Sequence, residues 1–321
     1  MNSSKMLFLT TMSMGIMMSI SSSNWIAVWC GLEISLVSFI PLMINKMMIS
    51  SESTMKYFIV QSISSAMLML SMLIMIMKGD YNYDYMLTAA LLIKAGVAPF
   101  HNWVLTVIEG LDLKMVLIML TINKIAPITM MSYLSNKMSI IVLLTVVVGA
   151  TMGLNQNSMK KIIGYSSIFN MGFIMSVLKF NLVWTMYLMI YSMLLFMMVW
   201  VLNTYNVNYI NQMVFSETII NSMSLWIILL SMGGMPPLMG FSIKYMVMWY
   251  LISMNFIFMI SVMVMISLLI MFLYLRMTFL SLMNNSLMNK IKLFNSNETS
   301  MIFISINMMT LPIMFMIKPY L

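Results

Sequence analysis

The chain has 321 residues, 62% of them hydrophobic and only 7% charged, with a mean hydropathy of +0.99. A soluble domain carries about 25% charged residues, so this composition excludes a soluble globule and predicts an all-α, polytopic membrane protein. The net charge of +8 is scattered through short loops without a dense basic patch, which argues against nucleic acid as a partner, and a single cysteine, Cys30, excludes an intrachain disulfide.

In chain order, hydropathy predicts about eleven transmembrane helices, at 4–21, 24–45, 54–78, 84–106, 112–134, 138–154, 160–179, 182–204, 217–250, 255–280 and 301–318. Only two connections, 205–216 and 281–300, exceed ten residues. Residues 1–321 therefore read as a single transmembrane domain.

The fourth span holds the run Leu91-Leu-Ile-Lys-Ala-Gly-Val-Ala-Pro-Phe-His-Asn-Trp103. Pro99 removes a helical hydrogen bond and frees a carbonyl. Lipid cannot satisfy that carbonyl, so another helix or a water-filled cavity must. Lys94 and His101 are seven residues apart, which puts them on one helical face, roughly 10 Å apart by rise. The ninth span is too long for one crossing and is interrupted by Gly233-Gly-Met-Pro-Pro237. It is read as a second discontinuous helix. Ala95-Gly-Val-Ala-Pro-Phe100 is similar to Gly233-Gly-Met-Pro-Pro-Leu238, five spans later. An odd offset predicts inverted repeats, the arrangement by which many transporters place broken helices around a midplane site.

Four charged residues fall well inside apolar spans: Glu33, Lys94, Lys124 and Lys244. Each costs roughly 2.5–3.5 kcal/mol at mid-bilayer, so they must pair, hydrate or lose charge. Three lysines cannot all pair with one glutamate. A carboxylate about 4 Å from a lysine stabilises the ammonium by roughly 4 kcal/mol at an effective dielectric of 20. Moving Glu33 toward or away from a lysine thus changes how firmly that lysine holds its proton. A single intramembrane lysine is often only a snorkelling or ion-paired structural residue. Four such charges beside two broken helices favour a proton path. His101 is a secondary candidate, since a histidine near a helix end can simply hydrogen-bond locally. Glu217 and Arg276 sit at span ends, where charges are common. The hydroxyls and amide of Tyr165-Ser-Ser-Ile-Phe-Asn170 can carry water or tie helices together. One histidine and one cysteine leave no Cys/His cluster for zinc, haem or an iron–sulfur centre and no nucleophile with an adjacent base.

Loop charge predicts orientation. The side carrying the N-terminus receives Lys5, Lys46, Lys56, Lys114, Lys160, Lys161, Arg276, Lys290 and Lys292. The opposite side receives Lys78, Lys137, Lys179 and Lys318. The positive-inside rule places the N-terminus inside, and eleven crossings place the C-terminus outside.

At these motifs the chain resembles the antiporter-like subunits of respiratory complex I. Ala95-Gly-Val-Ala-Pro-Phe-His-Asn-Trp103 is similar to their Gly-x-Ala-Pro-Phe-His-x-Trp segment. Gly233-Gly-Met-Pro-Pro-Leu-Met-Gly-Phe241 with Lys244 resembles their second broken helix, and Lys160-Lys-Ile-Ile-Gly-Tyr-Ser-Ser167 their Arg/Lys-Lys-x-x-Ala-Tyr-Ser-Ser segment. The 50 methionines against one arginine, and an N-terminus without an Arg-rich transit segment, resemble products of AT-rich animal mitochondrial genomes, an arthropod's in particular. Two departures are Leu105-Thr106 where Pro-Glu is usual and Gly164 where Ala is usual.

The resemblance implies two inverted five-helix repeats in one antiporter-like domain. It carries proton-relay roles onto Glu33, Lys94, Lys124 and Lys244. Glu33 would control Lys94, Lys124 would relay laterally and Lys244 would be the terminal or exit-side site. It implies no cofactor in this chain, with NADH, FMN, iron–sulfur clusters and ubiquinone in other subunits. The implied partners are other membrane-arm subunits, further antiporter-like ones included, and inner-membrane lipids such as cardiolipin. The implied place is the mitochondrial inner membrane, with the N-terminus in the matrix and the C-terminus in the intermembrane space. A stand-alone cation/proton antiporter and a structural membrane-arm scaffold are the alternatives.

Overall fold

A computed structural model of the chain describes residues 3–45, 47–78, 84–134, 138–215, 219–288 and 298–317. Among them the chain is all-α, with fourteen α-helices, a 3₁₀ helix at Ile210–Phe215 and one isolated bridge between Ser158 and Tyr209. Among the described residues five segments are long and apolar enough to cross a membrane: Trp25–Met43, Met48–Met77, Leu113–Tyr133, Asn181–Thr204 and Ile257–Phe279. The chain is a multi-pass membrane protein. It divides into two compact units, Met1–Thr145 and Val146–Leu321.

The first unit contains α1 (Ser3–Ser21), α2 (Trp25–Met43), α3 (Met48–Lys78), α4 (Asp84–Ala95), α5 (Asn102–Gly110), α6 (Leu113–Leu120) and α7 (Ile122–Tyr133). The pair α1 and α2 packs backbone to backbone. A Cβ on Gly31 would stand 2.7 Å from the Gly15 carbonyl oxygen and from the Ser19 nitrogen. Small residues at such crossings let membrane helices approach without side chains between them. Helix α3 packs on α2, α4 and α5, and α7 packs on α1 and α4. The centre is apolar: Phe39, Leu42, Leu91, Ile108 and Leu111 are fully buried. Tyr57 lies between Phe39 and Trp103, with ring centroids 5.4 and 6.0 Å away.

Two departures from the hydropathy reading have local causes. Helix α3 starts at Met48, six residues before the predicted span. The Ser50 hydroxyl donates to the carbonyls of Met47 (2.6 Å) and Asn45 (2.9 Å) and accepts from the Asn45 N–H (3.1 Å). One turn on, Lys56 pairs with Glu52 at 2.6 Å, a spacing that supports a helix too polar for a hydropathy window. The fifth predicted span is also broken, between α6 and α7 at Thr121. The Thr121 hydroxyl donates back to the Leu117 carbonyl at 2.7 Å, and such back-bonding bends helices. Pro127 then withholds an N–H from α7.

The second unit contains α9 (Met159–Ser176), α10 (Asn181–Thr204), α11 (Ile219–Gly233), α12 (Met239–Ser253), α13 (Ile257–Met288) and α14 (Glu298–Ile317); α8 (Ser139–Leu154) runs across the boundary. Helix α9 is buried almost all round from Ile162 to Met175, the mark of a helix enclosed by others. Helices α10 and α12 pack on it, while α11 packs on α10, α12, α13 and α14. Buried serines such as Ser64, Ser71 and Ser231 return their hydroxyls to the carbonyl three residues back, at 2.7 Å. Glu217 and the loop lysines Lys46, Lys137, Lys290, Lys292 and Lys318 lie outside the described residues.

Candidate functional site

The two predicted breaks share one backbone pattern. Helix α4 ends at Ala95, and Gly96 has φ +69°, a left-handed value that glycine adopts without a Cβ penalty. The Gly96 N–H donates to the Ile93 carbonyl (3.2 Å) and the Val97 N–H to the Leu92 carbonyl (3.2 Å). These paired bonds make a Schellman cap. Helix α11 ends the same way. Gly234 has φ +89°, its N–H donates to Ser231 (3.0 Å) and the Met235 N–H donates to Leu230 (3.1 Å). A tight turn follows each cap, from the Phe100 N–H to Val97 (2.8 Å) and from the Leu238 N–H to Met235 (3.0 Å).

The breaks differ in how they satisfy the carbonyls that a helix end leaves over. At the first, the Trp103 indole N–H donates to the Ile93 carbonyl at 3.0 Å, and the Gln61 amide of α3 to the Lys94 carbonyl at 3.4 Å. Protein groups therefore take the carbonyls, and the Lys94 ammonium is left for other work. At the second, lysine itself is the cap. Lys244 Nζ donates to the Gly233 carbonyl at 2.7 Å and reaches the Met232 carbonyl at 3.5 Å. It also lies 5.4 Å from the centroid of the Phe169 ring. A cation at a helix C-terminus meets the negative end of the macrodipole, so Lys244 is held by geometry and by charge.

In the first unit, Lys94 and Lys124 line one cavity of about 30 Å³, together with Tyr57, Gln61, Trp103 and Asn123. Both lysines are buried, at 7% and 6% exposure. Glu33, half-buried on α2, is near enough to act electrostatically on Lys94 and Tyr57, but no direct ion pair joins it to Lys94. The structure thus groups Glu33, Lys94 and Lys124 within the first unit. Lys244 belongs to the second, on its own broken helix. His101 stands apart from the cavity lining. Its Nδ1 lies 3.2 Å from the Pro99 carbonyl at the start of α5, the local role open to a histidine at a helix end. The Tyr165–Asn170 segment ties helices together, as where the Tyr187 hydroxyl donates to Asn170 Oδ1 at 2.7 Å.

A family model described as "NADH:quinone oxidoreductase/Mrp antiporter, TM" matches residues 22–84 and 79–271. The "NADH-ubiquinone oxidoreductase chain 2" of Anopheles gambiae is 34% identical over 315 residues, covering 94% of this chain and 92% of that protein. The chain belongs to the NADH-ubiquinone oxidoreductase chain 2 family. The chain 2 of Locusta migratoria is 35% identical over 310 residues, covering 91% of this chain and 90% of its own. Among solved structures, a chain of respiratory complex I from Thermus thermophilus with bound aureothin superposes with a TM-score of 0.81 at 21% identity, covering 87% of this chain and 71% of that one. At that identity the likeness is one of fold.

In this chain 2 family member, sequence reasoning found the four charges within apolar spans and both breaks. It missed Gln61, Trp103 and Asn123. Trp103 was part of the quoted run, but nothing in a hydropathy pattern shows an indole folding back onto a carbonyl ten residues earlier. Gln61 is a lone amide in an apolar span, which was the available signal. Among the described residues no group of three or more His, Cys, Asp or Glu side chains is placed to hold a metal ion.

Proposed function

We propose that this chain couples NADH:ubiquinone electron transfer, carried out in other subunits, to proton translocation across the inner mitochondrial membrane. As a member of the chain 2 family it is a subunit of NADH:ubiquinone oxidoreductase, complex I. One observation carries the proposal: Lys94 and Lys124, from different helices, line a single cavity beside a broken helix. Buried lysines in a membrane mark ion and proton pathways, and a cavity of this size admits water.

Glu33 sets how firmly Lys94 holds its proton. Lys124 passes the proton laterally, and Lys244 is the terminal or exit-side site, with His101 secondary. The whole chain acts as one antiporter-like domain of eleven crossings, its two breaks related by inverted repeats. The N-terminus faces the matrix and the C-terminus the intermembrane space. NADH, FMN, iron–sulfur clusters and ubiquinone belong to neighbouring subunits. Other membrane-arm subunits, further antiporter-like chains included, and inner-membrane lipids such as cardiolipin surround this one. Nucleic acid has no part.

The test is the proton-to-electron ratio of assembled complex carrying Lys94→Met or Lys124→Met. Both variants are expected to pump at a reduced proton-to-electron ratio while the complex still assembles. A normal ratio in both refutes the relay, whereas failure of both only at assembly favours a scaffold role. The family description also names an antiporter. Sodium–proton exchange by the chain purified alone, without other respiratory subunits, is the result that establishes that second reading.

A further inference from the structure

The break at Thr121 starts α7 at Ile122 and so places Asn123 in its first turn, immediately before Lys124. The Asn123 side chain lines the cavity shared by Lys94 and Lys124. Both of its amide atoms, Nδ2 and Oδ1, are buried and have no hydrogen-bond partner in the protein. Pro127, four residues on, also lines the cavity, and having no N–H it deprives the Asn123 backbone carbonyl of its helical donor. A buried donor or acceptor left unpaired costs about 1–3 kcal/mol. Native proteins rarely leave such groups without a partner, and ordered water is the usual one where protein groups are absent. The cavity, at about 30 Å³, exceeds the roughly 10–15 Å³ that one water requires and excludes anything much larger.

We propose that Asn123 is a positioning residue for the proton relay, holding water between Lys94 and Lys124 with its amide. This rests on the relay reading above. Nδ2 donates to the water oxygen and Oδ1 accepts one of its O–H groups, which fixes the water's orientation. An ammonium on one lysine gives a proton to that water as the water gives one of its own to the amine of the other lysine. One N–H bond breaks, one forms, and the water is regenerated. An amide suits the position because it neither takes up nor releases a proton there. A carboxylate at the same place would be captured by the two ammonium groups.

The test compares Asn123→Leu, which keeps the branched shape and removes both amide polar atoms, with Asn123→Ser, which keeps one donor and acceptor and leaves room for water. Complex carrying Asn123→Leu is expected to assemble at the normal level, since a leucine brings no buried polar atom that must be paired. It should oxidise NADH normally with a water-soluble acceptor and lose proton pumping. Asn123→Ser should recover a measurable share of the pumping. A wild-type proton-to-electron ratio in Asn123→Leu overturns the proposal. If the same preparation of Lys124→Met pumps normally, the relay itself has failed; if only Asn123→Leu pumps normally, the role of Asn123 alone has failed. A map of the unaltered complex resolving ordered waters decides the matter independently of assembly. Water within hydrogen-bond distance of Asn123 Nδ2 and Oδ1 supports the proposal, and a dry amide overturns it.

Discussion

Gly240→Ala is expected to prevent the second broken helix from forming, so that the subunit fails to accumulate in assembled complex. Gly240 is the second residue of α12, and a Cβ there would collide with the backbone carbonyl of Ser231 in α11. That oxygen belongs to a helix buried against α10, α12, α13 and α14, so it cannot yield as a flexible side-chain end can. Overpacking a well-filled core typically costs 1–3 kcal/mol and sometimes more; a rigid backbone collision belongs at or above roughly 3 kcal/mol. The harm extends beyond packing. Lys244 lies one turn further along α12, and its reach to the Gly233 carbonyl depends on the close approach at Gly240. Gly233→Ala is the matched control. A Cβ there meets only ordinary contacts, the nearest being Tyr274 Cβ at 3.5 Å, so it should be tolerated. Native electrophoresis of complex carrying each variant separates the cases. Normal assembly of Gly240→Ala contradicts this description of the helix crossing.

Lys244→Met is expected to do two kinds of damage where Lys94→Met does one. Removing the Lys244 ammonium leaves the Gly233 and Met232 carbonyls without the donor that caps them. Each such loss costs about 1–3 kcal/mol. The complex should therefore melt at a lower temperature as well as lose pumping. At the first break the Ile93 and Lys94 carbonyls are already held by Trp103 and Gln61. Lys94→Met should accordingly leave thermal stability close to normal while pumping falls. The comparison needs only a thermal melt and a pumping assay on the same preparations. Equal melting behaviour of the two variants contradicts the capping role of Lys244.

Much of this could be read from the residues. Pro99 marked the first break because it withholds a helical N–H, and the run from Gly233 to Pro237 marked the second; the left-handed turns at Gly96 and Gly234, three residues before Pro99 and Pro237, emerge only from the structure. The buried charges stood out because hydrocarbon makes every one of them expensive. Other features depend on groups that meet only in three dimensions. Gln61 reaches a carbonyl 33 residues away. The break at Thr121 lies within a span that averaged hydropathy reads as continuous, and a hydroxyl bending back on its own helix marks the place. That break turns Asn123 and Lys124 toward the cavity with Lys94. The early start of α3 was hidden for the opposite reason, since a capping serine and an ion pair sustain a helix that hydropathy scores as loop.

If Lys94 and Lys124 serve one proton path through the cavity they share, a double-mutant cycle on proton pumping will show it, using Lys94→Met, Lys124→Met and the two together in assembled complex. Residues that work as a unit give grossly non-additive losses. The double variant should therefore pump no worse than the more damaged single variant. Losses that add, with each lysine contributing its own independent share, contradict a single path through the cavity.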